Sequence, residues 1–146
     1  MAKLEFSTLI NRPIEEVFAF LSNPENSSKW HLRGNEVKMT SQGPIGVGTT
    51  YRSVRTFLGR RIESETGFTE YEPNRKITLK SKRGPMPTKS QWTFDSVAGG
   101  TRVDLTIEGE PGGFFKVVEP LLVSTAKRQL EADFANLKGL MEAHAL

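Results

Sequence analysis

The stretch NRPIEEVFAFLSNPENSSKW, from Asn11 to Trp30, combines a short amphipathic helix, an abrupt stop and a lone tryptophan. Its apolar residues recur at helical spacing and form one stripe: Ile14, Val17, Phe18 and Leu21. Pro13 suits the first helical position, which makes Arg12 the N-cap residue. Pro24 ends the helix because a proline disfavours helical backbone at the residue before it. Turn-forming residues follow, and Trp30 marks the return to apolar structure.

Strand patterns flank this helix on both sides. Before it, residues 3–10 alternate in polarity, as a strand with one buried face does. After it, six segments separated by Gly- and Pro-containing turns have strand character: 36–41, 49–57, 61–71, 76–82, 90–96 and 101–108. One buried face, one solvated face and short connections predict an antiparallel sheet. Gly67, inside one of these segments, predicts a bulge or a sharp bend.

A longer helix is predicted at the C-terminal end of the sequence. Apolar residues recur there at steps of three or four: Val118, Leu122, Ala126, Leu130, Phe134, Leu137 and Met141. A continuous helix over residues 120–144 would be about 37 Å long. Pro120 would start or kink it. The predicted order is one strand, one helix, a short irregular or helical piece, six strands and a long helix, which is an α+β fold.

The composition bounds the class of protein. The 146 residues predict a single domain over 1–146, and the 36% hydrophobic and 25% charged contents are ordinary for a globular chain. No apolar run approaches the ~18 residues that a membrane span requires. The start of the sequence lacks the apolar segment of a signal peptide. The chain has no cysteine, which excludes disulfides and cysteine nucleophiles and fits a cytoplasmic location.

Positive charge is concentrated in the middle of the chain. The net charge is +3 overall, whereas residues 50–89 hold ten arginines and lysines against four glutamates, a net +6. Such a basic region would suit an anionic membrane surface, RNA or a ribosome. The modest total charge favours instead a solvated sheet face, on which Lys76, Lys80 and Lys82 discourage edge pairing. No contact with DNA is expected.

Four motifs in the chain resemble those of the START-like (SRPBCC) superfamily, specifically its bacterial polyketide cyclase/dehydrase and lipid-transport group. They are INRPIEEVFAFLSNPENSSKW at 10–30, GPIGVGTTY at 43–51, YEPNRKI at 71–77 and LEADFANLKGLME at 130–142. The resemblance covers nearly the whole chain. It implies the helix-grip fold, a curved seven-stranded antiparallel sheet around a long C-terminal helix. It is not specific for function, because this superfamily includes carriers, enzymes and regulators.

The resemblance also implies a cavity between the sheet and the long helix. We expect this cavity to bind a small hydrophobic ligand, such as a lipid, an isoprenoid or an aromatic polyketide-like compound. The residues expected to line it are Phe18, Trp30, Tyr51, Phe57, Phe68, Trp92, Phe94, Leu122, Leu130 and Phe134. Core packing is the competing interpretation for each of them, since large aromatics at alternating strand positions usually form plain core.

Several polar residues are candidates for chemistry. His31 would be a proton-transfer group, although a solvated loop position is the stronger interpretation. Arg55, Glu63 and Glu65 lie on strands that border the expected cavity, where a buried carboxylate would act as a general base. The competing interpretation is a solvated sheet face with cross-strand charge pairs. Tyr51 would donate a hydrogen bond to a ligand carbonyl.

No cofactor and no metal site is predicted. His144 is expected at the surface, and the two histidines lack metal-ligand spacing. Neither GVG nor EPGG matches a phosphate-binding loop. Three functions are therefore compared: a binding protein for a small apolar ligand, a cyclase/dehydratase-type enzyme that orients a flexible substrate, and an interaction module. The third would use the basic face, as the resemblance to toxin-like and coenzyme Q-handling relatives allows.

Overall fold

The computed structural model describes residues 2–32, 36–84, 87–110 and 114–144. Its strands and helices follow the order that the sequence predicts, with one additional short helix before the long C-terminal one. In chain order they are β1 (Ala2–Ile10), α1 (Ile14–Leu21), a 3₁₀ turn (Pro24–Asn26), α2 (Ser27–Trp30), β2 (Glu36–Met39), β3 (Thr50–Phe57), β4 (Arg60–Glu72), β5 (Lys76–Arg83), β6 (Thr88–Val97), β7 (Gly100–Gly109), α3 (Phe114–Val117) and α4 (Glu119–Glu142).

The seven strands form one antiparallel sheet in the order β1-β7-β6-β5-β4-β3-β2. Consecutive strands pair from β2 to β7, while β1 closes the far edge by pairing with β7 along its whole length, from Ala2 opposite Gly109 to Ile10 opposite Thr101. The curved sheet and the long helix α4 confirm the predicted helix-grip fold. Each predicted strand is present, and each of its ends lies within two residues of the predicted one.

The pairing of β4 with β5 confirms the irregularity expected at Gly67. The register shifts between Glu65 and Thr66 and again between Phe68 and Glu70, so the two shifts flank the glycine. Gly67 is buried, and a Cβ atom there would lie 2.9 Å from Cε of Lys82. The bulged strand bends at this point, because an extra residue in one strand increases the local twist.

The N-terminal boundary of α1 differs from the prediction. Pro13 is the N-cap residue and the helix begins at Ile14, one residue later than expected. Arg12 does not cap the helix; its guanidinium pairs instead with Glu16 at 2.6 Å. After the break at Pro24, the predicted turn residues form a 3₁₀ turn and the single helical turn α2, which carries the buried Trp30.

The core is asymmetric along α4. The C-terminal half of the helix buries Phe134, Leu137 and Met141 against the sheet and α1. The N-terminal half makes a smaller contact, in which Leu122 packs against Phe57 at the β3–β4 hairpin. The middle of the helix therefore stands off from the sheet. None of the helices in the described part of the chain is long and apolar enough to cross a membrane.

Candidate functional site

A cavity of about 310 Å³ lies between the inner face of the sheet and α4. It falls at the lower end of the volumes typical of small-molecule sites. Its walls are the inward side chains of the strands, the turn that precedes α2 and one face of α4. The cavity forms because α4 packs tightly against the sheet only through its C-terminal half, which leaves a space beneath the rest of the helix.

One side of the cavity is apolar. It consists of alternate residues of β5, β6 and β7, since every second side chain of a strand points to the same face. The residues are Ile77, Leu79, Trp92, Leu105 and Ile107. Leu130 of α4 faces them from the other side. This wall suits the hydrocarbon or aromatic part of a ligand.

The opposite side of the cavity, on β3 and β4, is polar. Tyr51 and Ser53 of β3 lie opposite Thr66 and Ser64 of β4 in the ladder, and all four line the cavity. The hydroxyls of Ser53 and Ser64 are hydrogen-bonded to each other at 2.8 Å. Burial raises the pKa of the Tyr51 phenol, although its hydrogen bond with Thr66 and the charge of Arg55 oppose this. Tyr51 is therefore neutral at physiological pH.

Arg55 places a positive charge inside the cavity. Its side chain is accessible to solvent through the cavity, yet protein surrounds it, and its guanidinium carbon lies 5.7 Å from the centre of the Phe57 ring. Burial lowers the pKa of Arg55, and the negative charge of Asp133 partly offsets this effect. A guanidinium keeps its proton even so. Within the described residues, Arg55 has no carboxylate at ion-pair distance.

A histidine–aspartate pair joins α2 to α4 at the cavity wall. Nδ1 of His31 donates to Oδ2 of Asp133 at 2.8 Å, and the backbone N–H of Leu32 donates to Oδ1 at 2.9 Å. Three residues further along α4, the Asn136 side chain donates to the carbonyl of Trp30 at 2.9 Å. Both His31 and Asp133 line the cavity. The segment that follows α2 is thus held on α4 by side chains from successive turns.

The preferred interpretation of His31 as a solvated loop residue is wrong. Its side chain is 21% exposed, its ring stacks on Trp30 with centroids 3.9 Å apart, and it pairs with the buried Asp133. Asp133 was not among the site residues predicted from the sequence. The sequence pattern could have identified it, because Asp133 interrupts the apolar stripe of α4 between Leu130 and Phe134. A carboxylate on the buried side of a helix needs a partner.

The structure places the ten predicted ligand-binding residues in two groups. Seven of them line the cavity: Trp30, Tyr51, Phe57, Phe68, Trp92, Leu122 and Leu130. The other three, Phe18, Phe94 and Phe134, lie outside the cavity wall and pack in the core. Phe18 and Phe94 meet edge to face at 5.0 Å, and Phe134 stacks on Trp30 at 5.7 Å. Ligand contact by the seven lining residues stays a prediction.

The two candidate carboxylates on β4 lie on the outer face of the sheet. Glu63 pairs with Arg52 at 2.7 Å and with Arg61 at 2.8 Å. The hydrogen bond from Arg52 and the charges of both arginines hold the pKa of Glu63 below its ordinary value. Glu65 is two residues further along and shares this side, since Ser64 between them faces the cavity. Neither glutamate is placed to act as a base on a bound ligand.

The remaining polar candidates are also surface groups. His144 is exposed and contacts Arg12 through Nε2 at 2.5 Å. Lys76 pairs with Glu70 at 3.2 Å, and Lys80 is exposed on the same outer side of β5. The described residues contain no cluster of three or more side chains that would hold a metal ion. The lysines of β5 thus belong to a solvated sheet face, whereas Arg55 of the same basic stretch faces the cavity.

Structures of similar proteins agree with this architecture at low sequence identity. TTHA0849 from Thermus thermophilus has a TM-score of 0.84 at 18% identity, covering 99% of this chain and 100% of its own. The Zhui aromatase/cyclase from Streptomyces sp. R1128 has a TM-score of 0.81 at 14% identity, covering 99% and 96%. CV1439 from Chromobacterium violaceum has a TM-score of 0.76 at 17% identity, covering 97% and 99%. These similarities establish the fold.

Sequence comparison identifies the family. No curated protein matches the sequence significantly. The family profile described as polyketide cyclase / dehydrase and lipid transport matches residues 1–142, nearly the whole chain. The match agrees with the four motifs and with the helix-grip architecture. The chain therefore belongs to the polyketide cyclase/dehydrase and lipid-transport family of the START-like superfamily.

Proposed function

We propose that this protein is a single ligand-binding domain that holds a small hydrophobic molecule in the cavity between the sheet and α4. One observation carries the proposal: the cavity is lined by a largely apolar wall from β5, β6 and β7, although the neighbouring core is tightly packed. Filling such a space with apolar atoms removes hydrophobic surface from water, and that is the main driving force for binding in pockets of this kind.

The location of the core supports binding without a large rearrangement. Residues that stabilise the fold, such as Val17, Val103 and Leu137, are fully buried away from the cavity. The cavity therefore exists before a ligand enters, and little of the interaction energy is lost to reorganisation. We place this activity in the cytoplasm, in keeping with a chain that has no cysteine.

The test replaces a small cavity-lining residue of α4 with a large one. Ala126 lines the cavity, whereas Ala132 lies on the exposed side of the same helix. The Ala126→Trp and Ala132→Trp variants are compared by titration with N-phenyl-1-naphthylamine, an uncharged dye that fluoresces in apolar sites. We expect at least about tenfold weaker dye binding for Ala126→Trp and unchanged binding for Ala132→Trp, since the indole occupies the ligand volume.

Two results would contradict the proposed function. The first is no dye binding by the wild-type protein in a titration that extends to the dye's solubility limit. The second is equal dye binding by both variants, which would place the dye outside the cavity. Circular dichroism and melting temperature verify that each variant is folded, so that a loss of binding is not a loss of structure.

A second candidate function is catalysis by the His31–Asp133 pair. One structural neighbour is described as an aromatase/cyclase, and here a hydrogen-bonded histidine and buried carboxylate lie in the cavity wall. Asp133 fixes the proton on Nδ1 of His31, because a carboxylate only accepts hydrogen bonds. Nε2 is then the basic nitrogen, and Asp133 stabilises the imidazolium that forms when Nε2 takes a proton.

This candidate predicts proton exchange at a carbon next to a ligand carbonyl. Nε2 removes the proton, the C–H electron pair moves onto the carbonyl oxygen, and a deuteron from solvent returns through the ring to carbon. In D₂O, ¹H NMR of 2-tetralone should show exchange that His31→Gln slows by about 10²-fold or more. Lys29→Gln, an exposed change on α2, is the matched control. Equal exchange rates for wild type and His31→Gln would remove the catalytic role.

A further inference from the structure

We propose that the ligand is a small organic acid whose carboxylate binds the Arg55 guanidinium while its apolar part rests on the β5–β7 wall. The inference rests on the proposed function, and it adds the chemical class of the ligand. Three observations lead to it: a positive charge in the cavity that has no ion-pair partner among the described residues, the hydrogen bonds that engage the polar groups beside it, and the separation of polar and apolar walls.

The charge on Arg55 is the first observation. Arg55 is open to solvent on the cavity side, and in the described chain its guanidinium has an aromatic ring beside it but no ion-pair partner. The cavity walls replace part of the hydration of the guanidinium, and a charge that loses hydration is stabilised by an opposite charge. The lowered pKa of Arg55 has this same cause, burial. An anionic ligand would supply the missing partner.

The second observation is that neighbouring polar groups already have partners. Tyr51 is hydrogen-bonded to Thr66, and the Ser53 hydroxyl is bonded to Ser64. The carboxylate of Asp133 accepts from His31 and from the Leu32 backbone, so it is oriented towards the segment after α2. The negative charge of Asp133 also favours the protonated form of Arg55. The donors of Arg55 are thus available to a ligand.

The third observation is the arrangement of the walls. Arg55 is on β3, whereas the apolar residues Leu79, Trp92 and Leu105 are on β5, β6 and β7. A molecule that spans the cavity from β3 to β7 meets a cation at one end and mainly hydrocarbon at the other, where Glu110 after β7 and Ser90 of β6 are the polar exceptions. The planar fork of a guanidinium matches the two oxygens of a carboxylate. The volume of about 310 Å³ restricts the apolar part to one or two rings or a medium-length chain.

The experiment compares an acid with its uncharged counterpart of the same size. Displacement of N-phenyl-1-naphthylamine is measured with 2-naphthoic acid and with 2-naphthamide at pH 7. We expect the acid to bind at least about tenfold more tightly than the amide, since a charge-assisted bidentate pair is stronger than a neutral hydrogen bond. In Arg55→Gln this preference should disappear, through weaker acid binding and unchanged amide binding.

Two further variants sharpen the result. Arg55→Lys keeps the charge but lacks the fork, so we expect an intermediate preference for the acid. Arg52→Gln removes a charge from the same strand on its outer face, where Arg52 pairs with Glu63, and should keep the full preference. Loss of the acid preference in both Arg52→Gln and Arg55→Gln would indicate a long-range field and would overturn the specific pairing.

The possible outcomes separate this inference from the proposed function. If the dye fails to bind wild-type protein, the proposed function fails and this inference fails with it. If the dye binds but the acid displaces it no better than the amide, only this inference is overturned. The wild-type comparison of acid with amide needs no variant, so it stands even if Arg55→Gln does not fold.

Discussion

Two aromatic residues that look alike in the sequence have different surroundings in the structure. Phe134 is 6% exposed and contacts Phe6, Trp30 and Trp92, so it joins α4 to both β1 and α2. Trp92 also touches Trp30 and Phe134, but it is only partly buried and one side of it faces the cavity. Packing therefore dominates at Phe134, while Trp92 is in a position to meet a ligand.

We expect alanine at these two positions to separate stability from binding. Phe134→Ala should lower the free energy of unfolding by about 3–5 kcal/mol, because it leaves a void in a packed core. Trp92→Ala should cost about 1–2 kcal/mol, since its site is already partly open. Urea denaturation measures both changes. Dye titration should show about fivefold weaker binding for Trp92→Ala; a larger stability loss in Trp92→Ala than in Phe134→Ala would contradict this assignment.

At the same residue scale, sequence patterns explain which candidate residues face the cavity. Alternation along β3 puts Tyr51 and Phe57 on the inner face, and both line the cavity. Alternation alone does not show where the helix leaves the sheet. Phe94 also points to the inner face of the sheet, but it lies beneath α1 and therefore packs in the core and does not line the cavity. The His31–Asp133 pair was missed because its members are 102 residues apart in the chain.

Among the secondary-structure elements, the strands were predictable because each has one buried face and a turn at either end. The turn signals are physical ones: Asn74 and Gly59 have positive φ angles of 61° and 74°, which asparagine and glycine adopt more readily than other residues. Gly67 predicted the bulge in β4 for a different reason: a glycine inside a strand often marks an irregularity, and here the Lys82 side chain lies so close that it would have to move to admit a Cβ atom.

The short helices were less predictable, because their stability comes from tertiary contacts. α2 is a single turn, and it is held by Trp30 in the core and by the Asn136 hydrogen bond from α4. A four-residue segment has too few intrahelical hydrogen bonds to be stable by itself. The start of α1 was placed one residue early because Arg12 and Pro13 were assigned from preference alone. In the structure Arg12 forms an ion pair with Glu16.

In the molecule as a whole, the cavity results from how α4 is attached at its two ends. The N-terminal end rests on the β3–β4 hairpin through Leu122, Phe57 and Ile62. The C-terminal end is fixed in the main core and by polar contacts to the segment between β1 and α1. A rigid helix of 24 residues held at both ends bridges the curved sheet between them. Curvature of the sheet then leaves a space under the middle of the helix.

Glu142 makes the polar contacts at the C-terminal end. Its Oε2 accepts from the Asn11 backbone N–H at 2.8 Å and from Lys138 Nζ at 2.8 Å, and Lys138 also contacts the Leu9 carbonyl. The hydrogen bonds from Lys138 and Asn11 hold the pKa of Glu142 below its ordinary value of 4.5. Residues 131 positions apart in the chain are joined here.

This pairing predicts a pH-dependent contribution to stability. Because the pKa of Glu142 is lower in the folded protein, its contribution is fully present above pH 4.5 and is lost as the pH falls through the folded value. We expect Glu142→Gln to lower the melting temperature at pH 7 by about 2 °C, as for an exposed ion pair. The difference from wild type should shrink below pH 4.5. Glu131→Gln, an exposed change on the same helix, is the control. A melting-temperature difference that stays constant from pH 7 to pH 3, measured by circular dichroism, would show that the Glu142 charge does not secure α4.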